Sequence, residues 1–413
     1  MNRANKILVL TSTFPRWKQD KDPPFVFELC RRLSSFFQVT VSTPAFPKSR
    51  REEVVEGVRV LRFRYFFAPL ERLAYGRGGG ILQRIRQKPA YGLLVPFFLV
   101  GQMMAAARLL RKEKFDLIHA HWLIPQGLIA VLARALSGRR IPILATSHGG
   151  DLYGLQGHLM NRLRAMVIQN AAAVTVVSSA MRKDLLKSGA SSAKISVIPM
   201  GTDLVERFRP GVGRRDPGRV LFVGRLVEKK GCRYLVEAWP EVRVHHKDAM
   251  LTIVGDGPER PRLQKRCQTL GVEGSVTFAG SVPQASLPTL YRVSGVVVFP
   301  SVVAKGGDRE GFGLVLVEAL GCECAAVVTD LPAMRDIVED GKSALVVPQK
   351  SSKALAREIV RLLDDPALAR RLGRNGRRHV LANFDWSQVA ALYRRLIDFH
   401  ICDAKHDGIS SNR

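Results

Sequence analysis

Short apolar runs rich in Val, Ile and Leu recur at residues 6–12, 38–43, 115–120, 141–147, 173–178 and 194–199, with segments of helical periodicity between them. Runs of this length predict strands buried on both faces, and strands alternating with helices predict a parallel sheet covered on each side. The alternation starts again at 219–224 and continues through 250–255, 275–280, 295–300, 325–329 and 344–348. The chain therefore reads as α/β, with two doubly wound, Rossmann-like domains facing an interdomain cleft. Between the two series, Arg207-Phe-Arg-Pro-Gly-Val-Gly-Arg-Arg-Asp-Pro-Gly218 concentrates proline, glycine and charge and interrupts the periodicity. This places a first domain at 1–205, a linker at 206–218 and a second domain at 219–385. A final amphipathic segment predicts a helix over 386–402 that packs back on the first domain.

A length of 413 residues fits two domains, and a hydrophobic content of 46% is enough for two cores. The six cysteines are scattered without a repeated CxxC, which points to a reduced, cytoplasmic compartment. Cys322-Glu-Cys324 reads as small buried packing. The apolar run Lys6-Ile-Leu-Val-Leu10 is too short for an export signal and reads as a strand. The uncharged stretch from Tyr91 to Ala107 contains Gly92, Pro96, Gly101 and Gln102 and falls short of the ~20 apolar residues that span a bilayer. A buried or interfacial helix is expected there.

Charge changes the picture more than composition does. The formal net charge is +28, and residues 1–216 carry 35 Lys and Arg against 14 Asp and Glu, leaving 29 against 22 for the remainder. Such a field attracts polyanions: nucleic acid, anionic lipid or a phosphorylated substrate.

In open α/β sheets ligands bind beyond the carboxyl ends of the strands, so the loops after strands are the places to search. Gly224-Arg-Leu-Val-Glu-Lys-Lys-Gly231 follows the first strand of the second half, and Arg225 and Lys230 there could pin a diphosphate at two points. Val254-Gly-Asp-Gly-Pro258 closes the next strand as a tight turn; a lone Gly-x-Gly is weak support for a nucleotide site. Glu310-Gly-Phe-Gly-Leu-Val-Leu-Val-Glu318 spans a loop and enters a helix. Its spacing puts Glu310 in the entry loop and Glu318 about two turns in, where a carboxylate can accept from ribose hydroxyls. The backbone N–H groups at the helix start are suited to phosphate oxygens.

In the first half, Ile143-Leu-Ala-Thr-Ser-His148-Gly-Gly-Asp151 puts a histidine after a strand, where a neutral imidazole could bond a sugar hydroxyl. His119-Ala-His121-Trp122 places two histidines on one strand face, a conceivable metal pair with no third ligand at a convincing spacing. Acceptor contact is the reading for His121 and Trp122. Asp20-Lys-Asp22 is formally a metal-binding DxD, but its basic centre and proline-bounded loop argue against Mg²⁺.

Taken together, these strings resemble family 4 of the retaining GT-B glycosyltransferases, and the match runs in order along nearly the whole chain. Thr11-Ser-Thr-Phe-Pro15, Phe115-Asp-Leu-Ile-His-Ala-His121, His148-Gly-Gly-Asp151, Ile198-Pro-Met-Gly-Thr-Asp203, Val223-Gly-Arg-Leu226, Val254-Gly-Asp-Gly-Pro258, Pro300-Ser301, the 310–318 segment and Asp340-Gly341 carry it. The resemblance implies a hexosyltransferase. Its donor would be a nucleotide diphosphate sugar, UDP- or GDP-linked, and its acceptor a glycan or lipid-linked molecule of envelope or extracellular polysaccharide synthesis. By the same resemblance, Arg225 and Lys230 neutralise the departing diphosphate, and the backbone at Gly313, Leu314 and Val315 binds its distal phosphate. Glu318 holds the ribose, Val282 lies near the base, and Glu310 and His148 face the transferred sugar. No protein nucleophile is implied. The acceptor attacks the face that the leaving group vacates, and neither metal nor cofactor is required.

Three departures from the family pattern stand out. Pro23-Pro24 occupies the place of a Gly-Gly pair, which removes backbone N–H donors. Glu323 stands where a small residue, usually glycine, is found, and Met200 replaces an asparagine before Gly201.

The basic first half suits an acceptor at an anionic bilayer face, and Arg62-Phe-Arg-Tyr-Phe-Phe67 with Arg84-Ile-Arg86 are its candidate contacts. That reading makes the chain cytoplasmic and peripheral on the inner membrane face; a genome-wide excess of arginine explains the charge equally well. Two alternatives remain: a GT-B relative with another reaction, such as an epimerase or phosphorylase, or a nucleic-acid-binding protein. No recognised nucleic-acid motif is present and the basic residues are dispersed, so no nucleic-acid partner is expected.

Overall fold

The computed structural model describes residues 4–17, 20, 25–75, 80–213 and 215–410, with the side chains of 407–410 excluded. The chain divides into two compact units, one of residues 1–199 and 389–413 and the other of 200–388.

The sheet of the first unit contains β1 (Lys6–Leu10), β2 (Gln38–Pro44), β3 (Glu52–Val55), β4 (Val58–Phe63), β5 (Leu117–His121), β6 (Ile143–Ser147), β7 (Ala173–Val176) and β8 (Ile195–Val197). Their order is β3-β4-β2-β1-β5-β6-β7-β8, and every pairing but one is parallel. The exception is the β3–β4 hairpin, absent from the periodicity-based expectation. Val55 pairs with Val58 across Glu56 and Gly57, both with positive φ, as a two-residue turn with the strands' own twist requires. Its edge strand, Glu-Glu-Val-Val, is half solvated and carries too little apolar signal for a period to register.

The second sheet contains β9 (Asp216–Val223), β10 (Met250–Val254), β11 (Val276–Gly280), β12 (Ser294–Phe299), β13 (Ala325–Thr329) and β14 (Leu345–Val347) in the order β11-β10-β9-β12-β13-β14, all parallel. This is the doubly wound order whose direction reverses beside the first strand. Its core gathers Val220, Phe222, Leu251, Ile253, Val296 and Val298 under helices that contribute Leu235, Trp239, Leu355 and Ile359. The Trp239 indole N–H is satisfied by Ser275 Oγ at 2.9 Å. Asp365 caps the helix Pro366–Phe384, its Oδ1 accepting from the N–H groups of Ala367 and Leu368.

Residues 206–218 are not a free linker. Phe208 is buried, Arg215 donates to the carbonyls of Tyr291 and Ser294, and Asp216 already begins β9. The division falls before Met200, because a buried aromatic and a multiply bonded arginine outweigh the local proline and glycine content. Gly201 lies against the Trp386 ring, where an added Cβ would sit 2.2 Å from an indole carbon. Thr202 N–H donates to Phe384 O, and Trp386 N–H donates to Thr202 O. These bonds stitch the returning chain to the start of the second unit. Beyond them, the helix Trp386–Ser410 buries Tyr393, Ile397 and Ile401 in the first unit.

The stretch 91–107 belongs to a longer helical run, Pro89–Lys112, that meets the length and apolar composition of a membrane span. The expectation from its polar interruptions was that it falls short. The difference arises because the two-turn 3₁₀ segment Pro89–Leu94 leads directly into the helix Val95–Lys112.

Candidate functional site

The carboxyl end of β9 delivers Gly224, Arg225 and Leu226 into a turn held backbone to backbone against the next loop. Gly224 N–H donates to Val254 O and Leu226 N–H to Asp256 O. A Cβ on Gly255 would lie 1.9 Å from Gly224 O, and one on Gly257 would lie 2.3 Å from Leu226 O. The Gly255-Asp-Gly257 pair is thus explained by this close approach. Gly231 has φ +63, and a Cβ there would lie 1.8 Å from Pro300 O, so the turn bearing Lys230 is seated against the end of β12.

Lys230 and Glu310 meet at 3.0 Å, Nζ to Oε2. Lys229, not singled out in the sequence, lies 3.6 Å from the other Glu310 oxygen and 3.1 Å from Asp308. Burial pushes the Glu310 carboxyl up, but Lys230, Lys229 and Arg225 together hold it below the usual carboxylate range. Glu310 is an anion there. A hollow opens beside this pair, lined by Lys230, Ser301, Glu310, Gly313 and Val315.

Gly313 is the N-cap of the helix Leu314–Gly321 and supplies no capping side chain, so the first N–H groups of the helix have no side-chain acceptor there. Two turns in, Glu318 is 2% exposed. Tyr291 Oη donates to its Oε2 at 3.2 Å and Gln284 Nε2 to its Oε1 at 3.4 Å. Arg207 Nη1 in turn donates to Gln284 Oε1 at 3.4 Å. Burial pushes the Glu318 carboxyl up to about 7 against these bonds. Arg207, Gln284 and Tyr291 carry no sequence signal; they become a site only because they converge on Glu318. Val282 is half-buried in the loop after β11, two residues before Gln284.

Glu323 has φ +61, a left-handed conformation that a glycine adopts without cost. It follows the helix end, its N–H donating to Leu320 O. The family's small residue is accounted for by this backbone requirement, which Glu323 meets with strain.

In the first unit, β5 and β6 bring three histidines together. His119 Nε2 lies 2.8 Å from Thr146 Oγ1, and His121 Nδ1 lies 3.0 Å from His148 Nε2, with the His121 and His148 rings stacked at 5.3 Å. Burial lowers all three pKa values, to about 3 for His119 and His148, so the imidazoles are neutral. His121 is only 1% exposed, and its Nε2 is buried without a partner. The ring of His121, expected from the sequence to touch the acceptor, is enclosed by β5, His119 and His148, with Nδ1 facing His148 Nε2. Trp122 is half-buried with φ 76 and packs edge-on to His148 at 5.2 Å. His148 Nδ1 is also buried without a partner. Asp151 is buried, accepting from Leu123 N–H and Ser147 Oγ, which fixes the turn after β6.

Among the described residues, no group of three or more His, Cys, Asp or Glu side chains could hold a metal ion. Asp20 of the DxD string instead accepts from Arg16, whose guanidinium also lies over Trp17, Phe46 and Tyr75. Asp22 and Pro23-Pro24 lie outside the described residues. Within 62–67, Arg62, Phe63 and Tyr65 are buried, and Arg62 pairs with Glu53. Arg84 is occupied by Tyr91, over whose ring it lies at 4.5 Å. Of these two candidate basic-aromatic contacts, Arg64, Phe67 and Arg86 are the residues that reach the surface.

Comparison with known proteins identifies the family. Residues 206–379 match the family described as Glycosyl transferases group 1, and residues 24–206 match Glycosyltransferase Family 4. A GDP-mannose-dependent alpha-(1-6)-phosphatidylinositol monomannoside mannosyltransferase from Mycolicibacterium smegmatis is 30% identical over 316 residues, covering 74% of this chain and 81% of the relative. Sucrose-phosphate synthase from Thermosynechococcus elongatus shares the fold with a TM-score of 0.75 at 24% identity, covering 95% of this chain and 99% of that one. HepE from Anabaena, solved with UDP-glucose, shares it with a TM-score of 0.70 at 18% identity and the same coverage. With both halves matched in order and a relative aligned over most of its length, the chain belongs to family 4 of the GT-B glycosyltransferases and is a transferase enzyme.

Proposed function

We propose that the protein transfers a hexose, with retention, from a UDP- or GDP-linked sugar to a glycan or lipid-linked acceptor in envelope or extracellular polysaccharide synthesis. The observation that carries this reading is the Lys230–Glu310 pair at 3.0 Å beside an uncapped helix N-terminus at Gly313. A cation, an anion and the N–H groups of a helix start, set side by side, offer the charges that a diphosphate joined to a sugar requires. Lys230 and Arg225 neutralise the diphosphate as it leaves, and the N–H groups of Gly313, Leu314 and Val315 receive its distal oxygens. Glu310 accepts hydroxyls of the transferred sugar, Glu318 accepts those of the ribose, and Val282 borders the base. His148, neutral and with an unsatisfied Nδ1, offers a hydrogen bond to a sugar hydroxyl. These charges supply what transfer requires without a metal or cofactor.

The mannosyltransferase relative acts, by its name, on a phosphatidylinositol-linked sugar. That supports a lipid-linked acceptor here and a cytoplasmic chain peripheral to the inner membrane face. The test is a nucleotide-sugar panel including GDP-mannose and UDP-glucose, read by thermal shift and by donor hydrolysis. Stabilisation and hydrolysis with one donor class are expected. No response to any donor would sink the donor-site assignment, and epimerisation or phosphorolysis in place of transfer would replace the reaction.

A further inference from the structure

The helix Val95–Lys112 has two unlike apolar faces. One buries Phe98, Gln102, Ala106 and Leu110, and Gln102 Nε2 donates to the carbonyls of Thr11 and Ser42, each at 3.2 Å. The other presents Phe97, Val100 and Met104 at helical spacing, continued by Leu93 in the preceding Pro89–Leu94 segment, with Leu93, Phe97 and Val100 50–76% exposed. Beside it, Phe67 and Leu70 are 73% and 51% exposed, and Phe66 joins the two segments through a ring contact to Phe97 at 5.0 Å. Exposed apolar residues are ordinary singly; a contiguous stripe of this kind marks a contact surface.

The charge around the stripe identifies what it contacts. From Arg72 to Lys112 the chain carries eight Lys and Arg residues and no Asp or Glu. Arg72, Arg86, Lys88 and Arg108 are exposed there, and Arg108 continues the line of the apolar stripe one turn beyond Met104. Glu71, next to Leu70, is buried and paired with Arg64, so the exposed charge that the segment itself sets beside its apolar face is positive, which complements the boundary between acyl chains and anionic head groups.

We infer that Leu93, Phe97 and Val100, with Phe67 and Leu70, insert into the acyl boundary of an anionic leaflet and hold the first unit flat on the membrane. The helix lies in the plane and does not span. Crossing the bilayer would withdraw Gln102 from two buried carbonyls and leave all three groups unsatisfied in hydrocarbon. The inference rests on the proposed lipid-linked acceptor, for which this face supplies the approach.

Flotation of the full-length chain with phosphatidylcholine vesicles, with and without phosphatidylglycerol, tests it. Binding is expected with phosphatidylglycerol, and the double variant L93D/F97D is expected to lower the partition coefficient by about tenfold or more. Phe67→Ser with Leu70→Ser on the neighbouring turn is expected to lower it by a smaller factor, which keeps the test valid if the helix variant misfolds. Nucleotide-induced thermal shifts are expected to be unchanged in both variants. Undiminished vesicle binding in folded variants would overturn the inference, as would a wild-type dimer that these substitutions separate. Loss of vesicle binding with intact donor binding would leave the donor assignment standing. Vesicle binding without any donor response would leave the membrane face standing alone.

Discussion

Replacing Glu318 by glutamine is expected to stabilise the unliganded protein at high pH while weakening nucleotide binding. The carboxyl is 2% exposed, with Tyr291 and Gln284 as its hydrogen-bond donors, and its pKa is about 7 against an ordinary 4.5. A folded-state pKa above the unfolded one means that the folded chain binds the proton more tightly. Stability from this group is therefore full below about pH 4.5 and is lost as pH rises through about 7. A shift of this size corresponds to about 3 kcal/mol by pH 8 and about 1 kcal/mol at pH 5. The amide keeps the shape and has no charge to desolvate. At ~2–4 °C per kcal/mol for a unit of this size, Glu318→Gln should raise the melting temperature by about 6–12 °C at pH 8, with most of the gain gone at pH 5. Scanning calorimetry of both proteins across pH 4–8 measures it. The same variant should bind nucleotide about 10-fold to 100-fold more weakly, the scale of a hydrogen bond to a charged acceptor. A stabilisation independent of pH, or a variant less stable at pH 8, would refute the assignment of a destabilising buried charge.

Lys230→Ala and Glu310→Ala should each lower turnover by at least ~100-fold with unchanged circular dichroism, since each removes one charge of the 3.0 Å pair. Glu323→Gly should raise stability by about 1 kcal/mol, measured by denaturant midpoint, because glycine takes φ +61 without the Cβ penalty. His121→Ala should lower kcat while leaving nucleotide affinity within about twofold, as it frees His148 Nε2; His121→Asn should recover part of the loss if orientation of His148 is its role.

Much of this was legible in the chain itself. The twelve apolar runs correspond to twelve of the fourteen strands among the described residues, because most of these strands are buried on both faces and so are apolar nearly throughout. The missed pair, Glu52–Val55 and Val58–Phe63, is an edge hairpin carrying Glu and Arg at the surface, which no uniform apolar run betrays. The 206–218 segment reads as a linker for the opposite reason. Its prolines and glycines dominate locally, whereas Phe208 and Arg215 find partners nearly eighty residues or more away. Lys230, Glu310 and Gly313 were legible as residues around one donor, but the direct Lys230–Glu310 ion pair was not.

The sequence by itself determined two α/β halves, the strand-end loops that bear chemistry and the kinds of charge they offer. These are properties of short stretches, in which burial pattern and turn chemistry act over a few residues. Tertiary structure alone decided that Lys229 joins Lys230 at Glu310, that Arg207, Gln284 and Tyr291 converge on Glu318, and that His121 is enclosed behind His148. Burial and distance between remote segments depend on how sheets stack their loops, and those distances set whether a carboxyl is an anion held by lysines or an acid lifted toward neutrality.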